Sequence, residues 1–359
     1  MSEGAGAAKH NPGLPDNALP LAVAKRVQPP RHPDPVSALT MMTSLLLRNG
    51  KWPDSRGDNQ GGFSMRIFLT GATGFIGATV VPELIKAGHQ VIGMTRSDAG
   101  AQALIDAGAE VHRGTLENPD TLRSGAEKAD AVIHTAFDHD FSRFVENCEK
   151  DKRAIAALGS ALAGSDRPLV ITSGTGIGSG EHGEPATEDV FNISHPNPRI
   201  ASELAGNELL EAGINLSVVR LPQVHNPYKQ GLISPLVAIA REKGVSAYVG
   251  EGRNRWPACH VSDVALLYRL AIEKRQPGAR YHAVAEEGVS SREIAEALGR
   301  GLKLPTVSIS PDEAAAHFGW MGMFVGLDMP ASSAKTQALL NWHPTGPTLI
   351  ADLNEARFV

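Results

Sequence analysis

From Arg66 onward, short apolar runs alternate with stretches in which apolar residues return every three or four positions. The runs are Arg66–Leu69, Gln90–Met94, Glu110–His112, Ala131–His134, Leu169–Thr172 and Asn215–Val219. Between them lie helix-period stretches such as Ala101–Ala107, Ser142–Ala163 and Ile200–Leu210. Strands that are apolar throughout, separated by amphipathic helices, predict an α/β fold with a doubly wound parallel sheet covered on both faces. Such a sheet binds ligands beyond the carboxyl ends of its strands. After Leu221 the pattern loosens into helical pieces around Ile233–Glu242, Val261–Glu273, Ser291–Leu302 and Ser332–Leu340, with short strands and turns between them. Residues 65–221 and 222–359 are therefore expected to differ in role.

Residues 1–64 differ from both. Eight prolines with scattered Gly, Asn and Asp leave too little apolar surface to offset the entropy of ordering. This stretch reads as a disordered tail or an upstream extension, with one short helical pattern within Ser37–Arg48. Glu3, Asp16 and Asp34 argue against an organellar presequence.

Thr70-Gly71-Ala72-Thr73-Gly74-Phe75-Ile76-Gly77 joins the first strand to the helical run that follows it. A strand, glycine turn and helix in that order mark a dinucleotide site. Gly71 permits a tight turn, Gly74 lets the backbone approach a pyrophosphate, and Gly77 lets helix and strand pack closely. The helix start then offers free N–H groups and a partial positive charge to phosphate. The Gly-x-x-Gly-x-x-Gly spacing departs from the commoner Gly-x-Gly-x-x-Gly, so the flanking strand and helix carry the inference.

Composition narrows the partners. The formal net charge of −5 provides no bulk attraction for nucleic acid or acidic membrane. No apolar run reaches the length that spans a bilayer. The two cysteines, Cys148 and Cys259, form no metal-type spacing and fit a reducing, cytoplasmic setting better than a disulfide framework. A small-molecule substrate and no metal are expected.

The glycine octet resembles the cofactor turn of the short-chain dehydrogenase/reductase superfamily, in its extended and atypical branch, the epimerase/dehydratase type. The likeness continues through Ala131–Ala136, Ile171-Thr172-Ser173, Val219–Pro222 and His260–Ala265. It covers about residues 65–359. It implies a Rossmann domain over 65–221 and a smaller substrate lid over most of 222–359, with late strands returning to the sheet. It also implies a possible homodimer. In cofactor terms, it places Thr135, Ala136 and Phe137 along the ribose and nicotinamide, Leu116 near adenine, and Pro222 and Val224 against the nicotinamide carboxamide. Thr115 stands where the family carries an acid.

The second strand ends in Thr95-Arg96-Ser97, with no carboxylate before Asp98. A site preferring NAD usually has an acid there for the ribose. Arg96, with Ser97 beside it, suits a 2′-phosphate, so NADP(H) is expected over NAD(H). The bland reading of Arg96 is a solvated residue at a helix start.

The family's Tyr-x-x-x-Lys pair is missing. The four tyrosines, Tyr228, Tyr248, Tyr268 and Tyr281, have no Lys four residues on. Arg199 and Glu203 align with the Tyr and Lys positions. Arg199 is placed either to bind an anionic substrate group or to pair with Glu203 one helical turn on. The serine element survives in Ser173, with Thr175 nearby, and either hydroxyl can hold a substrate oxygen. Ser173 can equally cap its own strand end. For the absent proton donor, His139 is the first candidate, with a neighbouring carboxylate expected to raise its pKa. Asp138 or Asp140 can instead begin a helix. His225 and Tyr228 are alternatives, and Arg253, Arg255 and Trp256 are candidates for the substrate mouth. His260 is expected to fix a lid helix with Asp263.

These features point first to an NADP(H)-dependent oxidoreductase acting on a carbonyl or alcohol. The alternatives are a sugar-nucleotide epimerase or dehydratase, weakened by the missing tyrosine, and a non-catalytic NADP-binding regulator.

Overall fold

The computed structural model describes residues 64–180 and 183–358. The expected N-terminal extension, with its short helical pattern, lies outside the described residues apart from Ser64.

The first half alternates as its pattern predicts: β1 (Arg66–Thr70), α1 (Gly77–Lys86), β2 (Gln90–Thr95), α2 (Asp98–Asp106), β3 (Glu110–Arg113), α3 (Pro119–Ala126), β4 (Ala131–His134), α4 (Phe144–Leu162), β5 (Leu169–Gly174), α5 (Ile200–Glu211) and β6 (Leu216–Leu221). Helix α3 is an addition to the sequence reading. It spans only eight residues and is announced by its cap: Asn118 accepts from the Asp120 N–H, with Pro119 at the first helical position.

The rest comprises β7 (Gln223–His225), α6 (Ile233–Lys243), β8 (Ser246–Val249), β9 (Arg255–His260), α7 (Val261–Lys274), β10 (Arg280–His282), β11 (Glu286–Ser290), α8 (Ser291–Leu302), β12 (Thr306–Ile309), α9 (Pro311–Phe318), α10 (Gly322–Val325), α11 (Ala334–Leu340) and α12 (Leu349–Glu355). Ser290 with Glu293 and Ser310 with Glu313 form capping boxes at the starts of α8 and α9.

The main sheet has seven parallel strands in the order β3-β2-β1-β4-β5-β6-β10. This is the Rossmann order 3-2-1-4-5-6 with one further strand at the edge. Its two faces are separate cores. One face packs against α1 and α7 through Val80, Val81, Leu84, Val264, Leu267 and Tyr268. The other packs against α3, α4 and α5 through Leu122, Ile155, Leu158 and Ala205. Burying both faces is what allows strands such as β4 to be apolar along their length.

Within 222–359, α7 and β10 build onto this large sheet. Other elements gather around a core of their own, including Ile233, Trp256, Ile294, Phe318 and Leu349. Two small sheets belong to this half: β7 and β9 run parallel with β11 antiparallel to β9, and β8 runs parallel to β12. The strand order reverses beside β1, between β4 and β1, and that crevice is where a doubly wound fold takes its ligand.

Candidate functional site

The glycine turn leaves the end of β1 at that reversal. Gly71 has φ +68°, and a Cβ there would lie 2.7 Å from both the Ala136 nitrogen and Thr135 Oγ1. Only glycine tolerates both the left-handed backbone and the contact. A Cβ on Gly77 would meet the Gly71 carbonyl oxygen at 2.1 Å, so the start of α1 touches the strand end directly. Gly74 donates to the Gly71 carbonyl at 2.9 Å, and a Cβ on it would meet nothing but that same oxygen, at 3.1 Å. Thr73 and Gly74 are exposed, while Phe75 and Ile76 are half-buried. No side chain caps α1. The Ala78, Thr79 and Val80 N–H groups are taken by the Gly74 and Ile76 carbonyls, so what the helix start offers an anion is the positive end of its dipole.

Thr70 and Thr135 act on the scaffold with their side chains. Thr70 Oγ1 bonds His134 Nδ1 at 2.7 Å and accepts from the Ala136 N–H at 3.3 Å. Thr135 Oγ1 donates to the Thr70 carbonyl at 2.8 Å. These bonds lock the ends of β1 and β4 together, and Thr70 is fully buried.

Arg96 is exposed and makes no ion pair among the described residues. Ser97 caps α2, accepting from the Gly100 N–H at 3.1 Å, and its hydroxyl hydrogen is free to donate. Asp98, the first carboxylate after β2, is engaged by Arg113 at 2.5 Å. Leu116 is half-buried against the second sheet face, in a turn held by the Thr115 N–H to Thr121 Oγ1.

At the carboxyl end of β5, Ser173 is only 3% exposed, and its Oγ has no hydrogen-bond partner. Thr175 is buried in the 3-10 turn that follows, Thr175–Gly178. A buried hydroxyl left unpartnered is costly, and its usual explanation is a ligand or a functional role. Ser173 does not cap its own strand end. The Glu203 carboxylate lies beyond hydrogen-bond distance from it but near enough for the hydroxyl to help keep Glu203 ionised.

Arg199 and Glu203 do not pair with each other. Arg199 Nη1 donates to Asp151 Oδ2 at 2.6 Å, its Nη2 donates to the Thr172 carbonyl at 3.0 Å, and its guanidinium lies 4.1 Å from the centre of the Phe137 ring. Asp151 also meets His134 Nε2 at 2.9 Å and accepts from Ser202 Oγ at 2.6 Å. Burial disfavours charge on Asp151, but Arg199, His134 and Ser202 outweigh it and hold the carboxyl far below its usual range. Glu203 is clasped by both Arg220 donors, Nε at 2.8 Å and Nη2 at 2.9 Å, and by Arg280 at 3.0 Å. Burial opposes its charge too, and the arginines keep it lowered. Full commitment to stronger partners on neighbouring elements explains why the i,i+4 pair never forms.

His139 also departs from expectation. Its neighbour Asp138 is taken by Lys150 at 2.7 Å, and Asp140 caps the 3-10 turn Phe141–Arg143. His139 packs edge-on to Phe137 at 5.3 Å between ring centres. Although part of the ring is open to solvent, the side packed among neighbouring groups loses hydration, and this, then the charge of Arg199, lowers its pKa rather than raises it. His225 is buried and bonded to Asp352 at 2.6 Å, tying β7 to α12. Tyr228 is 89% exposed, and Tyr268 is fully buried with its hydroxyl 2.6 Å from Thr172 Oγ1. His260 caps α7, a helix packed on the main sheet, while Asp263 accepts from the Thr345 and Gly346 N–H groups. Arg255 is held by Asp328, Trp256 is buried with its indole N–H on the Leu327 carbonyl, and Arg253 pairs with Glu251.

Asp151, Ser202, Arg220, Arg280 and His134 escaped the sequence reading as site-building residues. A signal existed: Asp151 interrupts the apolar stripe Cys148, Ile155, Leu158, Leu162 on α4, and Arg220 interrupts an apolar strand. A charge on a buried face implies a buried partner.

No group of His, Cys, Asp and Glu suited to a metal occurs among the described residues, and no described helix is long and apolar enough to cross a membrane. Comparison with known proteins agrees with the geometry. The model of the NAD dependent epimerase/dehydratase family matches residues 67–284. An uncharacterised protein of Schizosaccharomyces pombe is 46% identical over 80% of this chain and 98% of its own length. One from Saccharomyces cerevisiae is 38% identical over the same shares. The crystal structure of Thermus thermophilus UDP-glucose 4-epimerase in complex with NAD superposes with a TM-score of 0.64 at 19% identity, covering 82% of this chain and 98% of that one. More distant relatives are named as an epimerase, a dehydrogenase and reductases, so the family is one of enzymes. With its Rossmann sheet, its glycine turn and these likenesses, the chain belongs to the NAD dependent epimerase/dehydratase family.

Proposed function

We propose that this protein is an NADP(H)-dependent oxidoreductase that interconverts a small carbonyl compound and its alcohol. One observation carries the reading: the open glycine turn and the buried, unpartnered Ser173 hydroxyl lie on the same carboxyl edge of one sheet. When bound, the dihydronicotinamide supplies a hydride to the carbonyl carbon and is oxidised, while the carbonyl takes one proton at oxygen and becomes an alcohol.

The residues present fit such a nucleotide. Gly71, Thr73, Gly74, Phe75, Ile76 and Gly77 form the cradle for the pyrophosphate, which an added Cβ at Gly71 or Gly77 would collapse. Arg96 and Ser97 meet the 2′-phosphate, and Leu116 borders the adenine. Thr135, Ala136, Phe137, Pro222 and Val224 border the ribose and nicotinamide. Ser173 donates to the substrate oxygen, with Thr175 beside it, and stabilises the charge that gathers there. His139 relays the proton from solvent.

The sugar-nucleotide reading is less well supported. Its proton relay needs a tyrosine that this site lacks, and a nucleotide diphosphate needs free cations. In the C-terminal half, Arg253, Arg255, Arg280 and Lys335 are each engaged by a carboxylate.

Calorimetric titration with NADPH and NADH, followed by a panel of carbonyl substrates, tests the proposal. NADPH is expected to bind more tightly and to be consumed with at least one carbonyl compound; failure of both nucleotides to bind overturns it. Arg96→Ala should weaken NADPH by about 10- to 100-fold, the worth of a hydrogen bond to a charged group, and leave NADH nearly unchanged. Equal losses for both would remove Arg96 from the 2′-phosphate.

A further inference from the structure

Beyond Phe137, aromatic rings continue outward from the carboxyl edge of the sheet. His139 stands edge-on to Phe137, Phe144 lies 6.3 Å from Phe137, and Phe141 lies 6.1 Å from His139. Phe141 stacks on Trp320 with centres 4.8 Å apart and planes 11° from parallel, and Trp320 meets Phe324 at 6.3 Å. The chain of rings thus joins the loop after β4 to the segment between α9 and α10. These rings are not sealed in a core. Trp320 is 42% exposed, His139 is exposed, and the four phenylalanines are only half-buried. The neighbouring Met323 and Leu327 are exposed as well.

An apolar surface of this kind left open to water marks a binding site more often than it marks chance. Its chemistry favours flat partners, because ring faces and edges offer stacked and T-shaped contacts that saturated rings cannot return. The charges around it do not favour a diphosphate. Arg199 is already committed to Asp151 and to the Phe137 ring face, Asp138 to Lys150, and Arg143 to Glu146. Lys229 lies over Phe75 at 5.6 Å, with no carboxylate partner among the described residues. One exposed lysine is too little to hold a nucleotide diphosphate. The inner end of the wall, Phe137, borders the strand ends that also carry Ser173, since Arg199 bridges the Phe137 ring and the Thr172 carbonyl.

We propose that this aromatic wall selects a planar, conjugated carbonyl compound, an aromatic ketone or aldehyde, whose ring system lies along the wall and whose oxygen is presented to the strand ends that carry Ser173. The inference rests on the oxidoreductase reading for its chemistry but not for its binding.

The test uses the full chain and two probes, 2-acetonaphthone and its ring-hydrogenated counterpart, titrated by calorimetry without nucleotide and then assayed for reduction with NADPH. 2-Acetonaphthone is expected to bind at least tenfold more tightly than the saturated ketone. Trp320→Leu and Phe141→Leu keep apolar bulk and remove the ring. Each should lose about tenfold in 2-acetonaphthone affinity while NADPH affinity and the unfolding midpoint stay as in the parent, and either variant alone suffices if the other fails to fold. Equal binding of both ketones, unchanged binding by the variants, or preference for UDP-glucose overturns the proposal. So does a Trp320→Leu variant whose sole change is loss of self-association in sedimentation, which would assign the wall to a second copy of the chain. Ring-dependent binding with no reduction of 2-acetonaphthone or of any carbonyl compound in the panel upholds the wall and overturns the oxidoreductase reading. Reduction of both ketones with equal efficiency does the reverse.

Discussion

Single atoms decide what the glycine turn tolerates. At Gly74 a Cβ meets only one carbonyl oxygen, so a side chain there is directed more by the ligand it would face than by the fold. Gly74→Asp should therefore leave the unfolding midpoint close to that of the parent while weakening NADPH by about 1–4 kcal/mol through repulsion from the pyrophosphate. Unchanged affinity in the titration would displace the cofactor from this turn. His139 is the second case. Its pKa lies below the ordinary histidine value, which favours the neutral imidazole near pH 7. If it delivers the proton, kcat/KM for carbonyl reduction should fall as pH rises through that lowered pKa, below about 6.5. His139→Asn should abolish this limb of the profile, and a profile identical to the parent's would remove His139 from the chemistry.

At the level of elements, α5 serves as a structural clamp. Glu203 on α5 holds Arg220 of β6 and Arg280 of β10, so one carboxylate ties a helix to two strands. Removing it strands two guanidinium groups, one of them fully buried. Glu203→Ala is expected to lower stability by about 3–5 kcal/mol, measurable by urea unfolding, and a loss below about 1 kcal/mol would show that the clamp contributes little. The six strands from β1 to β6 were legible because a strand buried on both faces must be apolar along its length, and the glycine turn because its residues meet local backbone needs. Asp151, Arg199 and Glu203 were not assignable as partners. Their pairing depends on which helices and strands become neighbours, and helix-surface spacing pointed to a local pair, Arg199 with Glu203, that tertiary partners outcompete. His139 misled for a similar reason: the carboxylate beside it in sequence is taken by Lys150 in space.

Across the whole molecule, buried charge makes stability depend on pH. Asp151 and Glu203 titrate lower in the folded chain than in the unfolded one, so they stabilise above about pH 4 and lose that contribution as pH falls further. His282 is pushed down to about 4 by burial and by Arg220. The unfolded chain takes up that proton from about pH 6.5, so stability should begin to decline there. Urea midpoints are expected to be flat near neutrality, to fall gradually below pH 6.5, and to fall steeply below pH 4. His282→Gln should reduce the gradual part, leaving the share of the other lowered histidines, His139, His195, His225 and His317, and an unchanged slope would remove His282 from it.

The seventh strand has a consequence for how the protein is made. β6 ends at Leu221, but its outer neighbour β10 arrives only with Arg280–His282, after the chain has left the sheet and returned. At about 5–20 residues per second, a ribosome leaves the outer edge of β6 unpaired for about 3–12 seconds. An open strand edge invites pairing with another chain. Nascent molecules shortened before β10 should therefore be the aggregating species, and holdase chaperones should engage this chain during that interval.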